Sequence, residues 1–370
     1  MRTVNYTDGK ISNVTIGVSV LSMVVAVGIL TYPRLLASKT EAADGWVTLL
    51  TAGILSIMIT WVIANIASKF PNQSFLDYAS FLLSRPVAIA ISVLYIIVCW
   101  FIVGYELAFI ADISQHYLFD RTPTEVVVLA FLLVIVYAVS GSRNAMFRMC
   151  FGFMAFSIIA TIVLVFMSLP FGDFDHLLPV FTTDWKTYIK ELPNGILSYT
   201  GGFILLFYMK LNRDPKKGPK SAAIGVSVVV ILYVSIYLAC IAVLGNVTTA
   251  NTIYPLVELA NTIHSAGFLD RIESLYYVIW ITTIFLTCIL AYDVSVMIIT
   301  DLFPKANKKY ITFGICPIIF SLSILPANYY QLGLYASIVG YSSIILTVLT
   351  IMTLNMMYFF KRKKKQEIKQ

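Results

Sequence analysis

Apolar segments alternate with short polar segments along almost the whole chain. At 1.5 Å of helical rise per residue, each apolar segment is long enough to cross the roughly 30 Å of hydrocarbon in a bilayer. The pattern therefore predicts an all-α polytopic membrane protein with about ten transmembrane helices. Their expected bounds are 11–36, 45–68, 86–110, 124–142, 146–170, 187–209, 220–245, 272–300, 309–325 and 331–360.

Two of these spans contain residues that interrupt a helix. The first span reads Val27-Gly28 near its middle, with Pro33-Arg34 just beyond, and the sixth reads Ser198-Tyr199-Thr200-Gly201-Gly202. Glycine and proline both destabilise a continuous helix. Interruptions at corresponding places in the two halves of a membrane protein indicate a small-molecule site near the bilayer midplane. The alternative is that these glycines only let neighbouring helices pack closely.

The ten spans divide into two sets of five. Because five is odd, the second set enters the membrane from the side opposite to the first, as in the 5+5 inverted repeat of LeuT-like proteins. We expect a single transmembrane domain over 11–360, with repeat one at about 11–170 and repeat two at about 187–360. A cytoplasmic N-terminus, 1–10, precedes this domain, and a basic cytoplasmic tail, 361–370, follows it.

The distribution of Lys and Arg predicts the orientation. With the N-terminus inside, 20 of the 26 Lys and Arg residues fall on the cytoplasmic side and 6 fall on the other side. Cytoplasmic loops carry the excess of basic residues in membrane proteins. Both termini are therefore expected in the cytoplasm, where the tail Lys361-Arg362-Lys363-Lys364-Lys365 would meet anionic lipid headgroups.

Composition agrees with this interpretation and narrows the functional classes. Hydrophobic residues make up 59% of the chain and charged residues 12%, whereas soluble domains are about half apolar and a quarter charged. The five cysteines lie within apolar spans, and His116, His176 and His264 are isolated from one another. We therefore expect no disulfide framework, metal site or catalytic site. No enzymatic activity, cofactor or nucleic-acid partner is predicted.

An unwound helix exposes backbone groups that can bind a polar ligand. Free N–H groups at the start of one half-helix carry partial positive charge and suit a carboxylate. Free carbonyl oxygens at the end of the other half suit an ammonium group or a cation. The expected ligand-binding residues at the two breaks are Val27, Gly28, Ser198, Thr200, Gly201 and Gly202.

Two acidic residues lie inside predicted spans, where an unpaired carboxylate costs several kcal/mol. Glu106 is expected in the outer half of the membrane, where it lines a water path or contacts the ligand, and Val103 of the same span is a further expected ligand-binding residue. Asp293 is expected in the inner half, where it either closes an inner gate or extends toward the cytoplasm. Both are candidates for gating or coupling. Thr287, near the midplane, either reaches the ligand or an ion or bonds back to its own helix.

The chain also resembles a known family, the spore germination permeases, which are the B subunits of Bacillus-type germinant receptors in the amino acid–polyamine–organocation superfamily. The stretch Gly28-Ile29-Leu30-Thr31-Tyr32-Pro33-Arg34 resembles that family's Gly-x-Leu-Thr-x-Pro-Arg segment in the first helix. Further similar segments are Asp44-Gly45-Trp46, Tyr105-Glu106, Arg121-Thr122-Pro123, Arg271-Ile272-Glu273-Ser274 and Val278-Ile279-Trp280. The resemblance covers essentially the whole chain.

Two positions depart from the family's pattern. Many members have Gly-Ala-Gly where this chain has Ala26-Val27-Gly28, so the first break is expected to be the weaker one. Phe203-Ile204 follows Gly201-Gly202 where many members carry an acidic residue. This second departure leaves open whether a polar ligand is held in the same way.

The resemblance implies a receptor subunit in the spore inner membrane that senses a small germinant, such as an amino acid, a sugar or a nucleoside. It also implies two protein partners, a larger A subunit with its own membrane domain and a C-subunit lipoprotein. The alternative is a secondary transporter of amino acids or related solutes coupled to H⁺ or Na⁺, because both functions use the same fold. A structural scaffold with a vestigial site would leave Glu106 without a role.

Overall fold

The structure, a computed structural model, describes residues 9–117, 121–265 and 272–367. Most of these residues are helical. In chain order the α-helices are α1 (Asn13–Val24), α2 (Gly28–Ala37), α3 (Gly45–Ser68), α4 (Phe75–Leu82), α5 (Arg85–Tyr117), α6 (Thr124–Ser140), α7 (Arg143–Ser168), α8 (Trp185–Leu197), α9 (Leu205–Tyr208), α10 (Gly218–Asn251), α11 (Pro255–Ser265), α12 (Ile272–Leu302), α13 (Lys308–Ser323) and α14 (Tyr329–Glu367).

The predicted spans correspond to helical segments of one bundle. Six helices, α3, α5, α7, α10, α12 and α14, are long and apolar enough to cross a membrane, and the bent pair α1–α2 makes a seventh such span. The remaining spans are the shorter helices α6 and α13 and the segment that runs from α8 to α9. The predicted all-α membrane fold, with its first and sixth spans broken, is confirmed.

Several details differ from the prediction. The short helices α4 and α11 were not predicted, because neither is long enough to give an apolar span. The helix α10 continues past its predicted end, across a kink where Gly245 has φ 75°. The side chains of His116 and His264, and Arg271 of the similar segments, lie outside the described residues.

Both ends of the described chain lie on the same side of the bundle. Ile11 forms an isolated parallel bridge with Asn212, in which the Ile11 N–H donates to Leu211 O at 2.8 Å. Lys361, near the end of α14, donates to the carbonyl oxygen of Phe81. We call this the terminal side, and we call the opposite side, which carries the α2–α3 and α7–α8 connections, the distal side. An even number of spans requires this placement.

Large apolar side chains cover the outside of the bundle. Such side chains would be poorly placed in water, whereas the acyl chains of a bilayer accommodate them. The exposed positions occur on most of the long helices and include Tyr137, Phe166, Ile231, Ile338 and Met352. Together with the long apolar helices, this surface identifies an integral membrane protein.

On the distal side, Asp44 fixes the long connection between α7 and α8. Its carboxylate accepts hydrogen bonds from the backbone N–H groups of Phe181 at 2.7 Å and Thr183 at 2.8 Å. Burial by itself raises the pKa of Asp44, but the hydrogen bonds from Thr183 and Phe181 outweigh burial and lower this pKa below its ordinary value. The carboxylate therefore stabilises the junction between the α2–α3 turn and the connection that precedes α8.

We expect Asp44→Asn to lower the melting temperature of the purified protein at neutral pH. We also expect the melting temperature of the variant to fall less on acidification. The folded-state pKa lies below the unfolded value of about 3.9. The carboxylate therefore stabilises the fold fully above that value, and its contribution disappears as the pH falls through the folded-state pKa. Melting curves from about pH 7 to about pH 3 should show a smaller acid-induced decrease for Asp44→Asn than for the wild type. Asp175→Asn, at an exposed position of the same connection, is the control, and equal decreases for Asp44→Asn and the wild type would contradict the prediction.

Candidate functional site

The first break is a complete interruption of the helix. The helix α1 ends at Val24 and α2 begins at Gly28, and the two axes differ by 54°. The first break therefore forms although Ala26-Val27-Gly28 lacks the first glycine of the family's pattern, and its non-helical residues are Val25, Ala26 and Val27. Among the described residues, no side chain caps the first turn of α2. Its N–H groups are those that an anionic group at a helix N-terminus would bind.

The second break depends on Gly201. After α8 ends at Leu197, the backbone turns and resumes as the 3₁₀ turn Gly202–Ile204. Gly201 has φ 149°, a conformation that favours glycine. A Cβ atom at Gly201 would lie 2.9 Å from Met23 Cγ and 3.2 Å from Met23 O. Gly201 therefore permits both the turn and the close approach of α1.

The two breaks also meet on their other faces. A Cβ atom at Gly28 would lie 3.5 Å from the carbonyl oxygen of Ser198 and 3.1 Å from the Tyr233 hydroxyl. The unwound residues of the first and sixth spans are thus direct neighbours. Small residues at both breaks make this arrangement possible, because a larger residue would separate the two backbones.

We expect Gly201→Ala to lower the melting temperature of the purified protein. An alanine in this backbone conformation carries strain of about 1–3 kcal/mol, and its methyl group would also contact Met23. Gly152→Ala, on the exposed face of α7, is the matched control, because a Cβ atom there meets nothing within 4 Å. An unchanged melting temperature for Gly201→Ala would show that the break tolerates a side chain.

The protein itself satisfies three carbonyl oxygens at the end of α1 and in the first break. Side chains of α10 and α12 donate to them. The pairs are Thr287 Oγ1 with Ser22 O at 2.9 Å, Tyr233 Oη with Val24 O at 3.1 Å and Trp280 Nε1 with Ala26 O at 3.4 Å. The expectation that carbonyl oxygens remain free at this half-helix end is therefore wrong for these three. An ammonium group in the site would need another acceptor.

A cavity of about 520 Å³ extends from the two breaks to the distal side. Six of the predicted site residues border it, namely Val27, Gly28, Glu106, Ser198, Thr200 and Thr287. The other three ligand-binding candidates do not. Val103 is completely buried in the core, and Gly201 and Gly202 face a smaller cavity between α3, α8 and α14.

Glu106 supplies the acidic group of this cavity. Its side chain is 5% exposed, and its carboxyl group faces the backbone N–H of Val27 in the first break. Within the described ranges, the Oε2 atom has no hydrogen-bond partner. A buried polar atom without a partner costs about 1–3 kcal/mol, and a charged one costs more. Glu106 is therefore able to accept a hydrogen bond from a bound molecule or to form an ion pair with a positively charged group on it.

Two polar residues near the cavity mouth were not predicted as site residues. Arg34 borders the cavity, and its Nη1 donates to the Tyr329 hydroxyl at 3.2 Å. Asn194 also borders the cavity, and its Oδ1 accepts from the Tyr341 hydroxyl at 2.8 Å. Arg34 belongs to a segment that carries the family resemblance, which is the only signal for it in the sequence. Asn194 is a polar residue one turn before the second break, and that position could have identified it.

Asp293 lies on the terminal side of the breaks and is completely buried. Arg143 Nε lies 2.9 Å from both of its carboxylate oxygens, and the Tyr208 hydroxyl donates to Oδ2 at 3.1 Å. Lys308 Nζ lies 4.0 Å from Oδ1. The carboxylate points toward groups of the terminal side, as one alternative expects, but these groups hold it inside the protein and it does not reach the surface. Its role in gating stays a prediction.

These contacts join four helical elements on the terminal side. Arg143 begins α7, Tyr208 ends α9, Asp293 lies on α12 and Lys308 begins α13. A second ion pair joins Lys210 Nζ to an Asp301 carboxylate oxygen at 2.7 Å. The two sides of the bundle thus differ: the cavity extends to the distal side, whereas ion pairs link helical segments on the terminal side. In the described part of the chain, no group of three His, Cys, Asp or Glu side chains is placed to hold a metal ion.

Comparison with known sequences gives a consistent result. A family described as "Spore germination protein" matches residues 10–332. "Spore germination protein GerLB" of Bacillus cereus is 33% identical over 98% of each chain. "Spore germination protein YndE" of Bacillus subtilis (strain 168) is 23% identical over 86% of this chain and 88% of the relative. "Spore germination protein A2" of the same strain is 24% identical over 88% of this chain and 89% of the relative.

Comparison with solved structures identifies the fold. The structure of MhsT in complex with L-phenylalanine superposes with a TM-score of 0.70, at 14% identity, over 94% of this chain and 89% of that chain. A Na⁺-coupled sialic acid symporter in a substrate-bound outward-open state superposes with a TM-score of 0.71, at 12% identity, over 95% of this chain and 81% of that chain. These likenesses confirm the predicted LeuT-like arrangement of two inverted sets of five helices.

Proposed function

The chain belongs to the spore germination protein family, and we propose that it is the germinant-binding membrane subunit of a spore germination receptor. In this proposal a small nutrient enters the cavity from the distal side and binds between the two broken helices. Binding shifts the bundle toward a conformation that a partner subunit detects, which requires that the nutrient bind one conformation more tightly than the other. The observation that carries the proposal is the cavity between the breaks, bordered by Glu106, whose Oε2 atom has no hydrogen-bond partner in the described part of the chain.

The cavity favours a ligand with a positive group and an apolar body. Glu106 is the acidic residue among the described residues that line the cavity, and its Oε2 atom has no hydrogen-bond partner there. The carbonyl oxygens of Ser22, Val24 and Ala26 already accept hydrogen bonds from side chains, so they are not available to a ligand. The uncapped start of α2 suits a carboxylate. Apolar side chains, among them Ile102, Leu197 and Leu332, line most of the remaining wall. Among the nutrients that the family resemblance implies, an amino acid matches these features best.

The proposal includes a location and partners. The excess of Lys and Arg supports a cytoplasmic terminal side, with both chain ends in the cytoplasm. The spore inner membrane is the proposed location, and its lipids surround the apolar faces of the bundle. The relatives are germination proteins, which supports assembly with an A subunit that has its own membrane domain and with a C-subunit lipoprotein.

A transporter is the second candidate, because the superposed structures include a Na⁺-coupled symporter of the same fold. Purified protein in liposomes distinguishes the two candidates. For a receptor subunit we expect binding of a labelled amino acid without accumulation, with or without a gradient of H⁺ or Na⁺. Accumulation of the label against its own gradient by this chain alone would overturn the receptor proposal.

Deletion of the gene tests the physiological part of the proposal. Spores that lack the chain should lose or weaken germination with one nutrient of a panel of amino acids, sugars and nucleosides. Germination triggered by a treatment that bypasses nutrient receptors should be unchanged. A full response to every nutrient in a strain without a second receptor of this family would contradict the proposal.

A further inference from the structure

A second cavity, of about 40 Å³, lies on the other side of the second break, between α3 and α14. Hydroxyl groups from three parts of the chain and the unwound backbone of the break line it, together with apolar side chains. The hydroxyl-bearing residues are Ser56, Thr60, Tyr199, Thr200 and Thr347. None of the described lining residues is charged. Thr200 borders both this cavity and the larger one.

A row of buried hydroxyl groups continues from this cavity along α14. Ser343, Thr347 and Thr350 share one face of the helix because they are spaced by four and three residues. Ser343 borders the large cavity and Thr347 the small one, and Thr350 lies beside the Tyr95 hydroxyl. The row extends about 10 Å along the helix axis from the large cavity.

Two hydroxyl groups along this path lack a partner. Considering only the described residues, the hydroxyl oxygens of Thr200 and Ser343 are buried and make no hydrogen bond, whereas those of Thr350 and Tyr95 lie beside each other. Each would cost about 1–3 kcal/mol if it stayed unsatisfied. Buried polar groups in proteins are almost always hydrogen-bonded, to the protein or to ordered water. Thr200 and Ser343 therefore suit a small molecule that both donates and accepts hydrogen bonds.

Water matches the size and the charge of the small cavity. A bound water needs about 10–15 Å³ and two to four polar partners, so a 40 Å³ cavity has room for about two or three. A cation would be poorly compensated, because the hydroxyl groups supply no negative charge. An apolar molecule would leave the hydroxyl groups unsatisfied.

We propose that the small cavity is a built water site that joins the ligand cavity through Thr200. Its waters bind to Thr60, Thr200 and Thr347 and to backbone groups of the second break. They replace part of the helical hydrogen bonding that the break removes. The backbone of the sixth span can therefore rearrange at the break while its polar groups keep hydrogen-bond partners.

An aromatic cluster closes this site toward the terminal side. Tyr95 stacks on Phe203 with ring centroids 5.5 Å apart and packs edge-on against Phe207 at 5.4 Å. The ring centroids of Phe75 and Phe207 lie 5.0 Å apart. The waters therefore occupy a pocket that ends at this cluster, and they do not cross the protein in this conformation.

X-ray radiolytic footprinting of the full-length protein in nanodiscs tests the water site. Hydroxyl radicals formed from bound water modify neighbouring side chains even when those side chains are buried. We expect Tyr199 and Phe203, which are 3% and 1% exposed, to be modified several-fold faster than Tyr292. Tyr292 is completely buried, and its hydroxyl donates to Thr312 O at 2.5 Å. Equal, slow modification of all three residues in the wild type would overturn the proposal.

Two variants and one control locate the water molecules that produce the modification. In Gly202→Ala the new Cβ atom would lie 2.7 Å from Thr60 Oγ1 and would occupy the small cavity, whereas in Gly314→Ala it would meet nothing within 4 Å. Thr347→Val keeps the shape of the side chain and removes the hydroxyl group. We expect Gly202→Ala and Thr347→Val to slow the modification of Tyr199 and Phe203 and Gly314→Ala to leave it unchanged. Wild-type rates in Thr347→Val would overturn the proposal, and this result is decisive even if Gly202→Ala does not fold.

Discussion

Glu106→Gln is expected to raise the nutrient concentration needed for germination by about ten- to a hundredfold, because a hydrogen bond to a charged group contributes about 1.5–3 kcal/mol. The substitution keeps the size of the side chain and removes its negative charge. A ligand ammonium group in the large cavity would then lose its best acceptor, since donors already occupy the carbonyl oxygens of the first break. Dose–response curves of spores, with binding of the labelled nutrient to the purified protein, measure the effect.

The matched control for this experiment is Glu125→Gln. Glu125 lies in the first turn of α6 and is exposed. Removal of its charge should therefore change the stability and the response of the protein very little. The abundance of the protein in the spore membrane should be normal for both variants. Because Gln keeps the size of Glu, a loss of response reports the charge of Glu106, whereas Glu106→Ala would also open space. A normal dose–response curve for Glu106→Gln would remove Glu106 from the proposed site.

Asp293→Asn is expected to weaken the closure of the terminal side and to lower the melting temperature of the purified protein. The carboxylate is completely buried, and Arg143 Nε contacts both of its oxygens at 2.9 Å. Removal of one partner of a buried ion pair typically costs about 3–5 kcal/mol, because the other charge stays buried without compensation. If closure of this side holds the resting state, spores with Asp293→Asn should germinate at lower nutrient concentrations or without nutrient.

A double variant separates closure from folding. Replacement of both partners by apolar residues, Arg143→Met with Asp293→Leu, removes the uncompensated charge of Arg143 and leaves only the partly exposed Lys308 without its acidic neighbour. It should therefore recover part of the melting temperature. Asp301→Asn is the control: the Lys210–Asp301 pair is partly exposed, with side chains 17% and 22% exposed, and such pairs contribute about 0–1 kcal/mol. A melting temperature of Asp293→Asn equal to that of Asp301→Asn would contradict the importance of the buried pair.

The two proposals fail independently. Loss of the germinant response in Glu106→Gln concerns the ligand cavity, whereas slow radiolytic modification of Tyr199 concerns only the small cavity. The terminal-side ion pair can also be important for folding in a transporter as well as in a receptor. The uptake experiment in liposomes therefore remains the one that decides between the two functions.

The sequence determined the membrane fold, because the relevant signals are local. Each span needs only a sufficient length of apolar residues, and each break needs only residues that destabilise a helix at one place. Gly201 illustrates this, since its neighbour Gly202 and the flanking Ser198 and Thr200 already predict a turn there. The placement of Glu106 as an acidic residue within a span also follows from the sequence alone. These inferences required no knowledge of which helices are neighbours.

The tertiary structure decided which groups meet. The partners of Asp293 and of the first-break carbonyl oxygens, and the cavity that Thr200 borders, depend on contacts between residues far apart in the chain. The orientation of each helix about its own axis sets these contacts. In a membrane protein that orientation is poorly encoded in hydropathy, because the lipid-facing side and the core-facing side are both apolar. For this reason Val103 was included in the predicted site although it is buried in the core, whereas Arg34 and Asn194 were missed.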